Sequence, residues 1–70
     1  METKEIVINF AQNLRLLRKS KNLSQSELSD LVGVNQRTVS AWENGVAEPD
    51  FKTLAELCRI FNEDFNGLLG

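Results

Sequence analysis

The stretch Ser24-Gln25-Ser26-Glu27-Leu28-Ser29-Asp30-Leu31-Val32-Gly33-Val34-Asn35-Gln36-Arg37-Thr38-Val39-Ser40-Ala41-Trp42-Glu43-Asn44-Gly45 decides how this chain folds. Ser24 with Glu27 is a capping box, in which hydroxyl and carboxylate each satisfy an amide left free at a helix start, so a helix begins here. It carries Leu28, Leu31 and Val32 inward and stops at Gly33, which takes a positive φ without the cost of a Cβ. Asn35 is a good N-cap for the next helix, Gln36 to Glu43, in which only Val39 and Trp42 are clearly apolar. One narrow stripe is therefore buried and the rest faces out. Leu28, Val32, Val34, Val39 and Trp42 set the angle between the two helices, and Ser29 is small where they cross. The second helix is left projecting polar side chains, as reading base edges in a major groove about 12 Å wide requires.

Upstream, Ile6, Phe10, Leu14 and Leu17 follow helical spacing and predict an amphipathic helix over 6–21. Lys19, Ser20, Lys21 and Asn22 close it, with cations at the negative end and an asparagine able to turn left-handed. Leu16 falls on its otherwise polar face, and Leu23 packs beneath the turn. Downstream, Pro49 keeps the residue before it out of a helix. Asp50 caps a fourth helix with Leu54, Leu57, Cys58 and Phe61 on its core face, closed by Asn62. Asp64 caps a last turn carrying Phe65, Leu68 and Leu69. The pattern predicts an all-α bundle of about five short helices. It is expected to be a single domain over 1–70, with the helix-turn-helix proper at about 25–43.

At 70 residues the chain has room for one modest core and none to spare for a catalytic cavity. Cys58 is the only cysteine and histidine is absent, which excludes an intramolecular disulfide, a Cys/His metal site and a histidine-based catalytic pair. No enzymatic activity, metal, cofactor or small-molecule ligand is expected. No run approaches the roughly 20 apolar residues that span a bilayer. The opening METKEIVINFAQ, with Glu2 and Glu5, does not read as a leader, so no membrane partner and a cytoplasmic location are expected.

Eight basic against ten acidic residues give a net charge of -2, against the usual basic lean of DNA-binding domains. The charges are segregated, however. Lys4, Arg15, Arg18, Lys19, Lys21 and Arg37 precede residue 45, whereas Lys52 and Arg59 stand alone among Glu48, Asp50, Glu56, Glu63 and Asp64. Such a charge dipole can present a positive face on an acidic molecule.

Through LRKSKNLSQSELSDLVGVNQRTVSAWENGVAEPDFKTLAEL the chain resembles the phage Cro and CI repressor-like (XRE-type) helix-turn-helix family, over about residues 14–69. The most telling pieces are Leu23-Ser24-Gln25, Glu27-Leu28, Val32-Gly33-Val34, Trp42-Glu43-Asn44-Gly45, Pro49 and Thr53-Leu54. The resemblance implies a lambda-repressor-like DNA-binding bundle of bacterial or phage origin, with helix three as the recognition helix and repression as the commonest role. Double-stranded DNA is then the partner. Because one recognition helix reads only a few base pairs, a homodimer on a pseudo-palindromic operator is expected.

Carried over by position, the family's pattern makes Gln25 a residue that touches phosphate and braces the recognition helix. Gln36, Arg37 and Ser40 then face bases. Asn35, Asn44 with the backbone at Gly45, and Lys19 position the phosphates, and Arg18 with Glu43 forms a structural pair. Two departures stand out. The loop after the recognition helix, often basic in the family, reads Val46-Ala47-Glu48-Pro49-Asp50 and offers no cation. Glu63 occupies a usually apolar position, so looser packing of the last turn is expected. The acidic second half also admits another reading, an antitoxin-like or adaptor module that binds a protein.

Overall fold

Four side chains that can accept from free backbone amides start four of the helices in the computed structural model, which describes the backbone of residues 3–70 and the side chains of Ile6 and residues 9–70. The reading of Met1 to Glu5 as no leader lies outside the described side chains. In chain order the helices are α1 (Thr3–Ser20), α2 (Gln25–Val32), α3 (Gln36–Glu43), α4 (Phe51–Phe61) and α5 (Phe65–Leu69). Both halves of the capping box form, since Ser24 Oγ accepts from the Glu27 amide at 3.0 Å and Glu27 Oε1 from the Ser24 amide at 2.9 Å. Those bonds, led by the one to the Ser24 backbone, hold the Glu27 carboxyl below its ordinary pKa. Asn35, Asp50 and Asp64 cap α3, α4 and α5 in the same way.

The turn between α2 and α3 depends on Gly33 at φ +83°, whose amide returns to Ser29 O at 2.8 Å while that of Val34 reaches the same oxygen at 3.0 Å. An L-residue in that conformation costs roughly 1–2 kcal/mol.

Phe10 and Leu14 of α1, Leu28 of α2, Val39 and Trp42 of α3, Leu57 and Phe61 of α4, and Leu68 of α5 form one buried cluster. Ser29 is buried on α2 beside it, its hydroxyl donating to Ser26 O at 2.7 Å, so no polar group is stranded where α2 and α3 pack. Asn13 Nδ2 donates to Leu68 O at 3.1 Å and ties α5 to α1. No helix of the described residues is long and apolar enough to cross a membrane.

Three expectations need correction. Leu31 is 55% exposed, because α2 buries Leu28, Ser29 and the side of Val32, and Leu31 lies about 100° around the helix from the centre of that face. Phe65 meets the ring of Phe51 instead of entering the core. The last turn is not loose at Glu63: that residue is exposed, yet its amide donates to Cys58 O at 2.9 Å and Leu68 behind it is fully buried.

One charged group lies inside the fold. The Glu43 side chain has no exposed surface, and Arg18 grips it with Nε on Oε2 at 2.6 Å and Nη2 on Oε1 at 3.0 Å. Gln25 Nε2 adds a third bond to Oε1 at 3.2 Å, and Arg15 Nε stands 3.6 Å from the same oxygen. Arg18 Nη1 is itself satisfied by Leu23 O at 2.8 Å. Burial pushes the Glu43 carboxyl up, but the bonds from Arg18 and Gln25 and the charges of Arg18 and Arg15 outweigh it and hold the group ionised below its ordinary pKa.

Removing one partner of a buried ion pair costs about 3–5 kcal/mol, against a total stability of about 5–15 kcal/mol for a native protein. Arg18→Met is therefore expected to move the urea midpoint sharply down at unchanged slope; a shift worth less than about 1 kcal/mol would show that the pair does not hold the fold. The lowered pKa also sets a pH dependence. The unfolded chain takes up the Glu43 proton more readily than the folded one, so the stabilisation is full above the ordinary glutamate value near 4.3 and is lost as pH falls through the lower folded value. Urea titrations at descending pH are expected to show the wild-type advantage over Glu43→Gln shrinking below about pH 4. An advantage that grows toward acid would contradict the assignment.

Candidate nucleic-acid interface

With Val39, Trp42 and Glu43 turned inward, α3 presents its other side to solvent. Gln36, Ser40 and Asn44 follow one another at single-turn spacing along that side, and Arg37 and Ala41 run beside them. Gln36, Arg37 and Asn44 are exposed, while Thr38, Ser40 and Ala41 are half-buried at the helix flank. Asn44 Nδ2 donates to Ser40 Oγ at 3.3 Å, linking two of the expected contact residues and leaving the Ser40 hydroxyl hydrogen free to turn outward. Ala41 is the residue that reading by polarity passed over. Its place one turn after Arg37 was the available signal, and an alanine there can touch a thymine methyl.

The start of α3 suits an anion. Its first turn holds no acidic residue, and the amides of a helix N-terminus carry partial positive charge. Asn35 Oδ1 is occupied by the cap to the Arg37 amide at 2.8 Å, so any phosphate contact of its side chain must come from the amide nitrogen. Gln25, half-buried in the first turn of α2, spends one amide hydrogen on Glu43 and keeps the other. The bracing expected of Gln25 is thus a direct bond to the last residue of α3.

Around Glu43 the ends of three elements meet. Arg15 and Arg18 from α1 face a single carboxylate, which leaves the cluster with surplus positive charge. Lys19, exposed one turn beyond Arg15, extends it. At the other end of α3, Lys52 is exposed beside an open cleft of about 370 Å³ that it lines with Val32, Gly33, Val34, Thr53 and Glu56. The cations that the loop Val46 to Asp50 lacks thus stand on α1 and α4, while Glu48 stays exposed in the loop itself. Among the described residues no group of three Cys, Asp or Glu side chains could hold a metal ion.

The geometry agrees with what the chain is similar to. A family model described as helix-turn-helix matches residues 14–68. An uncharacterized HTH-type transcriptional regulator of Bacillus subtilis, YqaE, is 37% identical over 60 residues, covering 86% of this chain and 52% of that protein. The chain spans about half the length of curated relatives it matches. The restriction-modification controller protein C.AhdI from Aeromonas hydrophila superposes with a TM-score of 0.79 at 29% identity, covering 89% of this chain and 94% of that one. The same bundle also occurs within hydroxypropylphosphonic acid epoxidase from S. wedmorenis, with a TM-score of 0.89 at 28% identity over 97% of this chain but only 36% of the epoxidase. From the family match, the identities and the five-helix geometry together, the chain belongs to the XRE-type helix-turn-helix family of DNA-binding transcription regulators.

Proposed function

We propose that residues 1–70 form one sequence-specific, double-stranded-DNA-binding domain of a cytoplasmic repressor, which has no enzymatic activity and binds a pseudo-palindromic operator as a symmetric pair. The observation that carries this reading is α3 itself. Its inner side is locked by Val39, Trp42 and the buried Glu43, and its outer side offers Gln36, Arg37 and Ser40 to solvent. Rigid backing with a solvent-facing polar front is what base reading demands, because a side chain that must first be ordered loses discrimination to entropy.

In this reading Gln36, Arg37 and Ser40 face base edges and Ala41 lies against them. A bidentate Arg–guanine or Gln–adenine pair discriminates by about 1–3 kcal/mol. Gln25, Asn35, Asn44 and Lys19 hold phosphates and set the register without reading sequence. The relatives carry differing roles in their names, among them a cryptic phage transcriptional repressor, a transcriptional activator and an antitoxin. Repression is our reading from the repressor resemblance. The antitoxin name, with the acidic second half, supports a second reading in which the same fold docks on a protein.

In-vitro selection from a random duplex pool separates the two readings. A DNA-binding repressor enriches a defined sequence, whereas a protein-docking module enriches none. On the enriched duplex, Arg37→Ala is expected to weaken binding about 5- to 150-fold, with far less loss on random DNA. Equal loss on both would remove Arg37 from base reading. Lys19→Gln is expected to weaken binding to all sequences alike and to lower the slope of log affinity against log salt by about one. A sequence-selective loss would show that Lys19 does more than hold a phosphate.

A further inference from the structure

Ser40 holds its hydroxyl differently from two other helical serines. Ser20 Oγ donates to Leu17 O and Ser29 Oγ to Ser26 O, each at 2.7 Å, so both hydrogens are committed to the backbone. Ser40 makes no such bond; its Oγ instead accepts from Asn44 Nδ2 at 3.3 Å. The two residues stand at i and i+4 and share the side of α3 that is turned away from Val39, Trp42 and Glu43.

Two features decide which end of the Asn44 amide meets Ser40. Asn44 is the C-cap of α3, where the last carbonyls carry partial negative charge, so the NH2 end of the amide is favoured toward the helix and its oxygen away from it. The phosphate proposed for Asn44 only accepts hydrogen bonds, so the same NH2 group must serve it. One amide hydrogen then lies on Ser40 Oγ and the other on phosphate. With a lone pair occupied by the amide, Ser40 turns its own hydrogen outward.

We propose that Asn44 is a positioning residue that makes Ser40 a hydrogen-bond donor toward the base it faces, and so selects a base with an acceptor on its major-groove edge. The inference rests on the DNA-binding reading above and adds the class of base that Ser40 reads. Guanine offers O6 and N7, adenine N7 and thymine O4, whereas cytosine shows only the N4 donor. Opposite cytosine, Ser40 still accepts through its second lone pair, but its hydrogen is stranded at a dehydrated contact. A stranded donor weakens binding about fivefold or more. Asn44 thereby joins register to readout, because the amide that meets the phosphate is the one that directs the hydroxyl.

The test is the random-pool selection run with wild type, Ser40→Ala, Asn44→Ala and Asn44→Asp, with thermal unfolding to verify that each variant folds. The position whose preference disappears with Ser40→Ala is the one Ser40 faces. Wild type is expected to deplete cytosine there at least about fivefold relative to the base it prefers. This comparison needs neither Asn44 variant to fold. Asn44→Ala removes the donor to Ser40 and should flatten that position while sparing those read by Gln36 and Arg37. Asn44→Asp puts an acceptor in place of the donor, so the hydroxyl hydrogen turns inward and the lone pairs outward. The preference should then invert toward cytosine or adenine, whose N4 and N6 groups donate. Loss of a phosphate contact alone weakens all sequences alike and leaves base frequencies unchanged, so it does not imitate this result. Cytosine preferred by wild type at that position, a preference that neither folded Asn44 variant alters, or a Ser40→Ala pool unchanged at every position would overturn the proposal while the DNA-binding reading stands. If wild type enriches no sequence at all, the DNA-binding reading fails and the role of Asn44 fails with it.

Discussion

A single buried carboxylate organises the molecule. Glu43 is the last residue of α3, and its two oxygens are reached from α1 by Arg18 and Arg15 and from the first turn of α2 by Gln25. Three of the five helices are thereby referred to one point. An ionised group with no exposed surface is tolerable only when its bonds offset the lost hydration, and here they do so through a two-pronged arginine whose remaining nitrogen is satisfied by Leu23 O. The network uses hydrogen-bond direction as well as charge, and direction specifies an angle. Apolar contacts alone, being non-directional, would leave α3 freer to rotate or slide on the core.

That rigidity bears on the work proposed for α3. The helix is eight residues long, too short to be stable alone, so its conformation is borrowed from the Asn35 cap, from Val39 and Trp42 in the core and from the Glu43 bonds. Once held, it leaves Gln36, Arg37, Ser40 and Ala41 on a surface with a fixed orientation. The acidic overall charge is compatible with this arrangement. Glu43 and Glu27, two of the acids near the proposed contact face, are committed to Arg18 with Gln25 and to Ser24, whereas Lys19 and Arg37 remain exposed.

Occurrence of the same five-helix shape within a much longer epoxidase chain shows that the bundle is a portable unit. A shared backbone does not imply a shared activity, so what distinguishes this chain is the set of exposed residues on α3 and the cations beside them.

Much of this was legible in the amino-acid sequence, for a physical reason: helix starts and stops are local. Ser24 with Glu27, Asn35, Asp50 and Asp64 each bond to an amide within three residues, and Gly33 and Asn62 turn left-handed on their own backbone, so the boundaries could be read without knowing what packs where. The buried faces of α1 and α4 followed from long apolar periodicity. Tertiary structure alone decided matters that depend on distant partners. Leu31 was left outside because α2 is short and the small Ser29 took the buried face, and Phe65 turned to Phe51, 14 positions earlier in the chain. Ala41 became part of the candidate site through its place on the helix, not through its chemistry. The Gln25 bond to Glu43 and the approach of Arg15 are likewise contacts between segments remote in sequence, and no periodicity encodes them. Local hydrogen bonds and apolar spacing made the elements readable, and long-range packing chose which of their side chains meet.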